Sequence, residues 1–223
     1  MKTLVVIPAL DAEQTVGGLV RRSIEQVRDV LVVDDGSSDR TGDEAAMSGA
    51  IVLRHEVNRG KGAAIKTAFE YAILHEFDAV ITLDADGQHL PEDIPKLLHA
   101  LSATGADLLI GSRRHLFGEM VPRRRMANKF SSWAISVGSG ARVDDSQSGY
   151  RLYSARLMKS LPLRSSGFDM ESEVIVRAAR NHLKIAMVPI ELGFVDGLQT
   201  SHYRPIRDTL RILATSFRTR FLG

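Results

Sequence analysis

The sequence predicts an α/β fold: a mostly parallel central sheet flanked by helices, in a single domain of residues 1–223. Two observations predict it. Short apolar runs rich in β-branched residues alternate with longer helical patterns through the first half of the chain, which is typical of parallel strands joined by crossover helices. The length of 223 residues and the ordinary composition, 44% apolar and 25% charged, also allow a substantial core.

The elements follow from these patterns in chain order. Strands are predicted at residues 4–8, 30–34, 51–54, 79–84 and 107–111. Helices are predicted between them, at residues 15–27, 40–48, 60–75 and 94–102. The second half is less regular, with a helix at about 126–137, a polar turn at 144–151, a strand at 150–154, a helix from about Asp169, a strand at 185–195 and a helical pattern at 205–222.

Composition and charge exclude several classes of protein. The chain has no cysteine, so disulfides and thiolate chemistry are excluded. No apolar run approaches the roughly 20 residues of a membrane span, and the N-terminal run is too short for a signal peptide, so we expect a cytoplasmic protein. The net charge is −8 over residues 1–111 and +10 over residues 112–223. An acidic half suits a metal ion, and a basic half suits phosphates or acidic lipid.

The most informative segment is Asp84-Ala85-Asp86-Gly87-Gln88-His89, directly after a predicted buried strand. Alternate residues project to the same side of a strand, so Asp84 and Asp86 can reach one point beyond its end. Their hard oxygen ligands suit Mg²⁺ or Mn²⁺ with positions open for phosphate oxygens. A solvated turn is the alternative interpretation.

Two further polar clusters also follow predicted strands. Asp34 and Asp35 begin one that leads into a helix; they can bind a base or ribose, or Ser38 or Asp39 can simply cap that helix. The segment around Lys61 precedes a long helix but is neither a P-loop nor a GxGxxG fingerprint. It can meet an anion at the helix N-terminus, or it is only a basic loop. Because carboxyl ends of parallel strands share one edge, we expect the polar clusters at residues 8–13, 34–41 and 84–89 to meet there.

Together these segments give the chain its resemblance to a known family. It resembles the family 2 glycosyltransferases of the Rossmann-like GT-A fold, and is similar to the catalytic domains of dolichyl- and polyprenyl-phosphate sugar transferases. The motifs that carry the resemblance, in the family's order and over nearly the whole chain, are VIPALDAE (6–13), VDDGS (33–37), NRGKG (58–62), DADGQ (84–88), GSR (111–113), DSQSGYR (145–151) and SHYRP (201–205). Asp11 stands where the family usually has Asn, and the effect of this difference is open.

The resemblance implies a function and roles for residues. It implies an inverting, metal-dependent transfer of a hexose from a GDP-mannose or UDP-glucose type donor to a polyprenyl or dolichyl phosphate, with residues 1–111 binding the nucleotide sugar and residues 112–223 the acceptor. The implied donor contacts are Pro8, Ala9, Glu13, Asp34, Asp35, Lys61, Asp84, Ala85, Asp86 and Arg113. The implied ligands of Mg²⁺ or Mn²⁺ are Asp86, Gln88 and His202; His202 can instead belong to an ordinary surface loop.

The acceptor decides whether a general base is needed. A phosphate oxygen is already an anion, so alignment and electrostatic stabilisation suffice, and candidate phosphate contacts are Arg113, Arg123, Arg124, Arg125 and Arg151. If the acceptor is instead a hydroxyl of a saccharide or small metabolite, Asp169 or Glu171 is the candidate base beside the catalytic pair Asp84 and Asp86. Both acids can equally be first-turn residues that favour the helix dipole.

The sequence also bears on two kinds of partner, membranes and nucleic acids. The pattern at 205–222 combines an apolar stripe with arginines, which suits peripheral contact with the cytoplasmic face of a membrane or packing on the domain itself. A non-catalytic nucleotide or nucleic-acid binding module is a remote alternative. We expect no nucleic acid partner, because only 6% of the residues are aromatic and no stacking pattern accompanies the basic loops.

Overall fold

A computed structural model gives the structure of residues 1–118, 122–167 and 169–193, together with Thr219; within 122–139 the side chains of 122–124 and 127 lie outside the description. The strands are β1 Thr3–Ala9, β2 Asp29–Asp34, β3 Ile51–Arg54, β4 Ala79–Thr82, β5 Leu108–Ser112, β6 Arg151–Ser154 and β7 Ile185–Pro189. The helices are α1 Val16–Gln26, α2 Thr41–Met47, α3 Lys61–Leu74, α4 Ile94–Thr104, α5 Pro122–Ser139, α6 Ala155–Ser160 and α7 Met170–Arg180.

These strands form one sheet of order β3-β2-β1-β4-β6-β5-β7, in which β6 alone runs antiparallel to its neighbours among the described strands. The predicted mostly parallel sheet is therefore confirmed. Strand order reverses beside β1, whose neighbours are β2 and β4. In open α/β sheets this reversal opens a crevice at the carboxyl ends of the strands, where ligands bind.

The core lies on both faces of the sheet because alternate residues of each strand face opposite sides. Leu4 and Val6 of β1 pack with α3, α6 and α7 on one face, whereas Val5 and Ile7 pack with α1, α2 and α4 on the other. Because helices cover both faces of the sheet, residues on both sides of each strand are buried, and the strand sequences are therefore continuous apolar runs.

Several predicted boundaries differ from the observed ones. The helix predicted at about 126–137 begins earlier, at Pro122, whose fixed φ suits the first turn of a helix. The strand predicted at 185–195 ends at Pro189, which has no N–H to continue the ladder. Helix α6 was not predicted; the Ser154 hydroxyl caps it by accepting from the Leu157 N–H at 3.1 Å. In the described part of the chain, no helix is long and apolar enough to cross a membrane.

Candidate active site

The polar clusters that follow β1, β2 and β4 meet at the carboxyl edge of the sheet, as predicted. The Thr15 hydroxyl donates a hydrogen bond to the Ala85 carbonyl at 2.6 Å. On the other side of the same loop, Asp11 Oδ1 accepts from the backbone N–H of Ser38 at 2.8 Å. The loop after β1 is therefore bonded to both neighbouring loops, directly beside the crevice where strand order reverses.

Lys61, the first residue of α3, lies between two carboxylates. Its Nζ is 2.5 Å from Oδ1 of Asp84 and 2.9 Å from Oε1 of Glu171. Burial opposes the charged ammonium, but the two carboxylates raise the pKa of Lys61 above its usual value. Burial also opposes the charge of Asp84 and by itself would raise the pKa of that carboxyl. The positive charge of Lys61 outweighs burial and holds the pKa of Asp84 well below its usual range. Lys61, Asp84 and Glu171 therefore form a charged cluster that connects the loop after β4 to the first turn of α7.

Among the residues that the structure describes, Asp86 forms no such ion pair. Burial and then the negative charge of Asp84 raise the pKa of Asp86, although the Gln88 backbone N–H donates to its Oδ1 at 3.0 Å. A divalent cation would relieve this repulsion, and the carboxylate of Asp86 and the amide oxygen of Gln88 are donors that Mg²⁺ and Mn²⁺ accept. Within the described residues no three His, Asp or Glu side chains group to hold an ion. Donor oxygens, water or the predicted ligand His202, which lies outside the described residues, would complete the coordination.

His89 fixes the loop that carries these acids. Its Nδ1 accepts from the backbone N–H of Asp84 at 3.0 Å, so its lone pair faces that amide and the geometry assigns a neutral ring. Burial lowers the pKa of His89, in agreement with this assignment. The ring packs 5.1 Å from that of Tyr150, whose hydroxyl donates to the Leu90 carbonyl at 3.0 Å. Gly87 turns the loop with φ of +78°, a conformation that glycine adopts without strain.

Gly149 has no side chain, and this leaves the space in which the side chains of Asp84 and Lys61 contact each other. A Cβ at this position would lie 2.6 Å from both carboxylate oxygens of Asp84 and 2.7 Å from Nζ of Lys61. These separations are shorter than any ordinary contact. The absence of a side chain at position 149 is therefore part of the site.

Asp35 organises the loop before α3 rather than facing an open cleft. Its Oδ1 lies 2.6 Å from Nδ1 of His55 and accepts from the Arg59 backbone N–H at 2.9 Å. Its Oδ2 accepts from the Gly60 backbone N–H at 2.7 Å. These bonds fix the backbone immediately before Lys61. The predicted contact of Asp35 with the donor nucleotide stays a prediction.

Asp34 is also fully buried. Its Oδ1 accepts from the Ser37 backbone N–H at 2.9 Å, and its Oδ2 is 3.4 Å from Nε of Arg54. Asp34 therefore stabilises the turn after β2. Its predicted contact with a base or ribose remains untested.

The loop after β1 carries the other predicted nucleotide contacts. Pro8 and Ala9 are buried at the end of β1, while Glu13 is exposed. The Glu13 carboxylate accepts from the Arg40 backbone N–H at 3.1 Å, and the Glu13 N–H donates to Asp39 at 3.1 Å. Asp39 also accepts from the backbone N–H of Thr41, the first residue of α2. The N-cap residue of α2 is Arg40, which makes no side-chain cap hydrogen bond, so the prediction that Ser38 or Asp39 is the cap is wrong.

Arg113, directly after β5, forms a bidentate ion pair with the fully buried Asp145. Nε of Arg113 donates to Oδ2 at 2.8 Å and Nη2 donates to Oδ1 at 3.0 Å. Burial opposes both charges, but each partner favours the charged form of the other, so the pKa of Arg113 is raised and that of Asp145 is lowered. Arg113 is thus held rigidly near Asp84 and Glu171, whose charges also raise its pKa.

The structure gives Arg151 a role different from the predicted one. Arg151 is fully buried, and its guanidinium donates to the backbone carbonyls of Ser148, Glu171 and Ser146 at 2.6–2.8 Å. A side chain enclosed in this way cannot reach an acceptor phosphate. The prediction of a phosphate contact is therefore wrong for Arg151, which joins β6 to α7. Arg125 is half-buried in α5, and its predicted contact with the acceptor phosphate stays a prediction.

Asp169 and Glu171 lie at the start of α7, where both side chains are almost completely buried. Glu171 reaches the site through Lys61, as described above. Asp169 precedes the helix and does not cap it with its side chain. His202, the segment 205–222 apart from Thr219, and the side chains of Arg123 and Arg124 lie outside the described residues.

Sequence reasoning assigned no role to three residues that the structure places in the site: His89, Asp145 and Gly149. All three stand inside or beside segments that had been singled out. Their function is to hold other residues in place, and the partners that reveal it are distant in the sequence. Only tertiary contacts, such as the ion pair of Asp145 with Arg113, identify them.

A mostly parallel sheet that presents acidic side chains at its switch point, next to a strand-end arginine, is the arrangement of a nucleotide-sugar-dependent transferase with the GT-A fold. Comparison with known proteins agrees with this class. The family model described as "Glycosyl transferase family 2" matches residues 4–167. The chain therefore belongs to glycosyl transferase family 2 and is a glycosyltransferase.

Two relatives with assigned names are similar over most of their length. The undecaprenyl-phosphate mannosyltransferase of Micrococcus luteus is 35% identical over 207 residues, covering 85% of this chain and 82% of the relative. The polyprenol monophosphomannose synthase of Mycolicibacterium smegmatis is 34% identical over 209 residues, covering 85% and 76%.

Solved structures show the same fold. The glucosyl-3-phosphoglycerate synthase of Mycobacterium tuberculosis, in complex with Mn²⁺, uridine diphosphate and glucosyl-3-phosphoglycerate, aligns with a TM-score of 0.73 at 26% identity. The alignment covers 100% of this chain and 81% of that one. The same enzyme has been solved with Mn²⁺ and UDP-glucose.

Proposed function

We propose that this protein transfers a hexose, with inversion, from a nucleotide diphosphate sugar of the GDP-mannose or UDP-glucose type to a polyprenyl or dolichyl phosphate. An oxygen of the acceptor phosphate forms a bond to the anomeric carbon. The bond from that carbon to the donor diphosphate breaks, and the nucleoside diphosphate leaves with the electron pair. Residues 1–111 bind the donor and residues 112–223 bind the acceptor.

The main support for the proposed donor site is a difference between two neighbouring acids. Asp84 is paired with Lys61, whereas Asp86 forms no ion pair among the described residues. Asp86 and Gln88 would hold Mg²⁺ or Mn²⁺, which neutralises charge on the leaving diphosphate. Asp84 orients the sugar-bearing end of the donor, and the buried Lys61 keeps Asp84 ionised. The complexes of the structural neighbour with Mn²⁺, UDP and UDP-glucose support such a donor.

The burial of the candidate bases favours a phosphate acceptor. Oε1 of Glu171 is ion-paired with Lys61, and the side chain of Asp169 is almost completely buried. A hydroxyl acceptor would need one of them as a base within hydrogen-bond reach, whereas a phosphate oxygen needs none. Arg113, already aligned by Asp145, and Arg125 are the proposed contacts with the phosphate. The names of the two bacterial relatives support a lipid phosphate.

Transfer to a membrane lipid places the enzyme at a membrane. We propose that it is cytoplasmic and contacts the cytoplasmic membrane face peripherally. Fractionation of cells expressing the tagged chain tests this directly. Recovery in the membrane fraction that is reversed by high salt supports the proposal, because salt screens contacts with acidic lipid. Complete recovery in the supernatant at low salt contradicts it.

The function is tested by incubating the protein with Mg²⁺ or Mn²⁺, a panel of nucleotide sugars and a short-chain polyprenyl phosphate. We expect a hexosyl phospholipid whose anomeric configuration, measured by nuclear magnetic resonance, is opposite to that of the donor. No lipid product with any donor, together with transfer to a saccharide or metabolite hydroxyl, would contradict the lipid acceptor.

Transfer to a hydroxyl is the second candidate, favoured by the likeness to a synthase solved with glucosyl-3-phosphoglycerate. Asp169→Asn and Glu171→Gln distinguish the two. Loss of a general base lowers the rate by about 10²–10⁴-fold, with donor binding preserved. With a phosphate acceptor we expect Asp169→Asn to keep the rate within about tenfold, because no proton has to be removed.

A further inference from the structure

Helix α5 has an inverted distribution of polar and apolar residues. The side that packs on the protein is largely polar, with Asn128, Ser131, Ser132 and Ser139 buried beside Ile135. The Asn128 side-chain amide donates to Oδ1 of Asp145 at 2.9 Å. The hydroxyls of Ser131 and Ser132 lie 3.1 Å and 3.2 Å from that of Ser146. A surface helix ordinarily turns its apolar stripe inward, and α5 does not.

The apolar stripe of α5 faces away from the part of the protein that the structure describes. Met126, Phe130, Trp133 and Val137 are 71%, 52%, 62% and 67% exposed. Their spacing of four, three and four residues places them on one face of the helix. The rings of Phe130 and Trp133 also contact each other, with centroids 5.9 Å apart. A cluster of large exposed apolar side chains of this kind marks an interaction surface.

Basic side chains accompany the stripe. Lys129 is exposed one turn before Trp133, and Arg125 is half-buried one residue before Met126. Beside the helix, a pocket of about 340 Å³ is lined by Trp133, Lys129, Arg114, Phe117 and Asp144, among others. The carboxylate of Asp144 is paired with Arg114 at 2.9 Å and lies 3.5 Å from Arg142. Near the stripe, the cationic side chains of Arg114, Arg125, Lys129 and Arg142 therefore outnumber the single acid Asp144 among the described residues.

We propose that the outward face of α5, defined by Met126, Phe130, Trp133 and Val137, inserts into the interfacial layer of an anionic phospholipid bilayer. Aromatic and aliphatic side chains reach the acyl boundary, while Lys129 and Arg114 meet the phosphate headgroups. Trp is enriched at membrane interfaces because its ring is amphipathic. This surface deepens the proposed peripheral contact with a membrane, on which it rests, and it does not depend on which acceptor is used.

A second copy of the chain fits this surface less well. A stable dimer buries about 20–30 residues on each side, and the stripe offers four. A symmetric contact would also bring the Lys129 and Arg125 side chains of both copies together, because a two-fold interface places the same patch on each side. An anionic membrane complements the same charges instead.

The surface also has a direct connection to the candidate active site. Asn128, on the inner side of α5, binds the same Asp145 that aligns Arg113. A helix seated on a membrane would therefore hold the proposed phosphate-binding arginine close to the lipid surface. The connection runs through two side chains, Asn128 and Asp145.

The full chain contains one tryptophan, Trp133, which makes it a local reporter. We expect its emission to shift to the blue and to be quenched by brominated lipid when phosphatidylglycerol vesicles are added. Phosphatidylcholine vesicles, or phosphatidylglycerol at high salt, should give at least a tenfold weaker response. An unchanged spectrum with phosphatidylglycerol vesicles would overturn the inference.

Variants separate this surface from other contacts. Phe130→Ser with Trp133→Ser should weaken co-sedimentation with phosphatidylglycerol vesicles at least tenfold, whereas Met47→Ser, an exposed apolar residue of α2, should not. Undiminished binding of the double variant would overturn the inference, as would a wild-type dimer in sedimentation that the double variant abolishes. Transfer to a water-soluble short-chain prenyl phosphate should be unchanged in the double variant. Absence of that transfer in the wild type, with vesicle binding intact, would contradict the proposed function and leave this surface standing.

Discussion

Nζ of Lys61 and Oδ1 of Asp84 lie 2.5 Å apart where the N-terminus of α3 meets the end of β4. This pairing gives the two acids of the Asp84-Ala85-Asp86 segment different properties. The pKa of Asp84 is lowered by Lys61 in spite of burial, whereas burial and the charge of Asp84 raise the pKa of Asp86. Asp84 is thus neutralised by Lys61, whereas Asp86 has no such partner in the described part of the chain, and this difference is why we propose that Asp86 holds the cation.

Replacing Lys61 by methionine tests the charged cluster. Lys61→Met leaves the carboxylates of Asp84 and Glu171 close together without a counter-ion, and breaking a buried pair costs about 3–5 kcal/mol. We expect the free energy of unfolding in urea to fall by about 3 kcal/mol and transfer to be abolished. Lys66→Met, in the same helix, is the matched control. Lys66 is half-buried and its Nζ donates to the Arg164 carbonyl at 3.4 Å, so its loss should change the unfolding free energy by about 1 kcal/mol or less.

The double variant Lys61→Met, Glu171→Gln refines that test. Removing one of the two uncompensated charges should recover about 1–2 kcal/mol of the lost stability, because contacting residues are not additive. Strict additivity of the two substitutions would show that Lys61 and Glu171 do not interact, contrary to their separation of 2.9 Å.

Gly149→Ala should damage the site through a single methyl group. Its Cβ would lie 2.6 Å from both carboxylate oxygens of Asp84, so the side chain of Asp84 or Lys61 has to move. We expect transfer to fall by about 10²-fold, since displacements near 1 Å cost that much when alignment supplies the catalysis. Gly138→Ala in α5, where a Cβ meets nothing within 4 Å, should leave the rate unchanged. Equal rates for wild type and Gly149→Ala would contradict the described geometry.

The pair of Asp145 and Arg113 predicts a pH dependence of stability. The pKa of Asp145 is lowered in the folded protein, because Arg113 outweighs burial, so the pair stabilises the fold above the unfolded pKa of about 3.9. That contribution is lost as the pH falls through the lower folded pKa. We expect Asp145→Asn to be less stable than wild type by about 3 kcal/mol near neutral pH.

The measurement is urea unfolding of both proteins between about pH 7 and about pH 3. The difference in unfolding free energy should be constant down to about pH 5 and shrink below about pH 4. Asp144→Asn, whose partner Arg114 is exposed, is the control and should cost about 1 kcal/mol or less. A difference that grows on acidification would rule out an ionised Asp145 in the fold.

Elements with a strong periodic pattern were predictable from the sequence, and so was the meeting of their loops. Buried strands such as β1 and β2 contain unbroken apolar runs, at residues 4–9 and 30–33, and a parallel sheet brings their carboxyl ends to one edge. The burial of Arg151 was not predictable. Its sequence neighbours resemble those of a ligand-binding turn. Its role is determined by the carbonyls of Ser146 and Ser148, in the turn before β6, and of Glu171 in α7.

The orientation of α5 was also beyond sequence reasoning. Its apolar residues and its serines are both spaced at helical intervals. A pattern of this kind shows that the helix has two faces and leaves open which one packs on the domain. Hydrogen bonds of Asn128, Ser131 and Ser132 with Asp145 and Ser146 settle the choice, because a buried polar face needs such partners.

The most direct test of the account is calorimetric titration of the nucleotide sugar donor into wild type and Asp86→Ala, with and without Mn²⁺. We expect binding by the wild type only with Mn²⁺, and roughly 100-fold weaker binding by Asp86→Ala in Mn²⁺. Asp43→Asn, an exposed acid of α2, should bind like wild type. Donor binding of equal strength in Asp86→Ala, or in wild type with excess chelator, would contradict a cation held by Asp86 on the donor diphosphate.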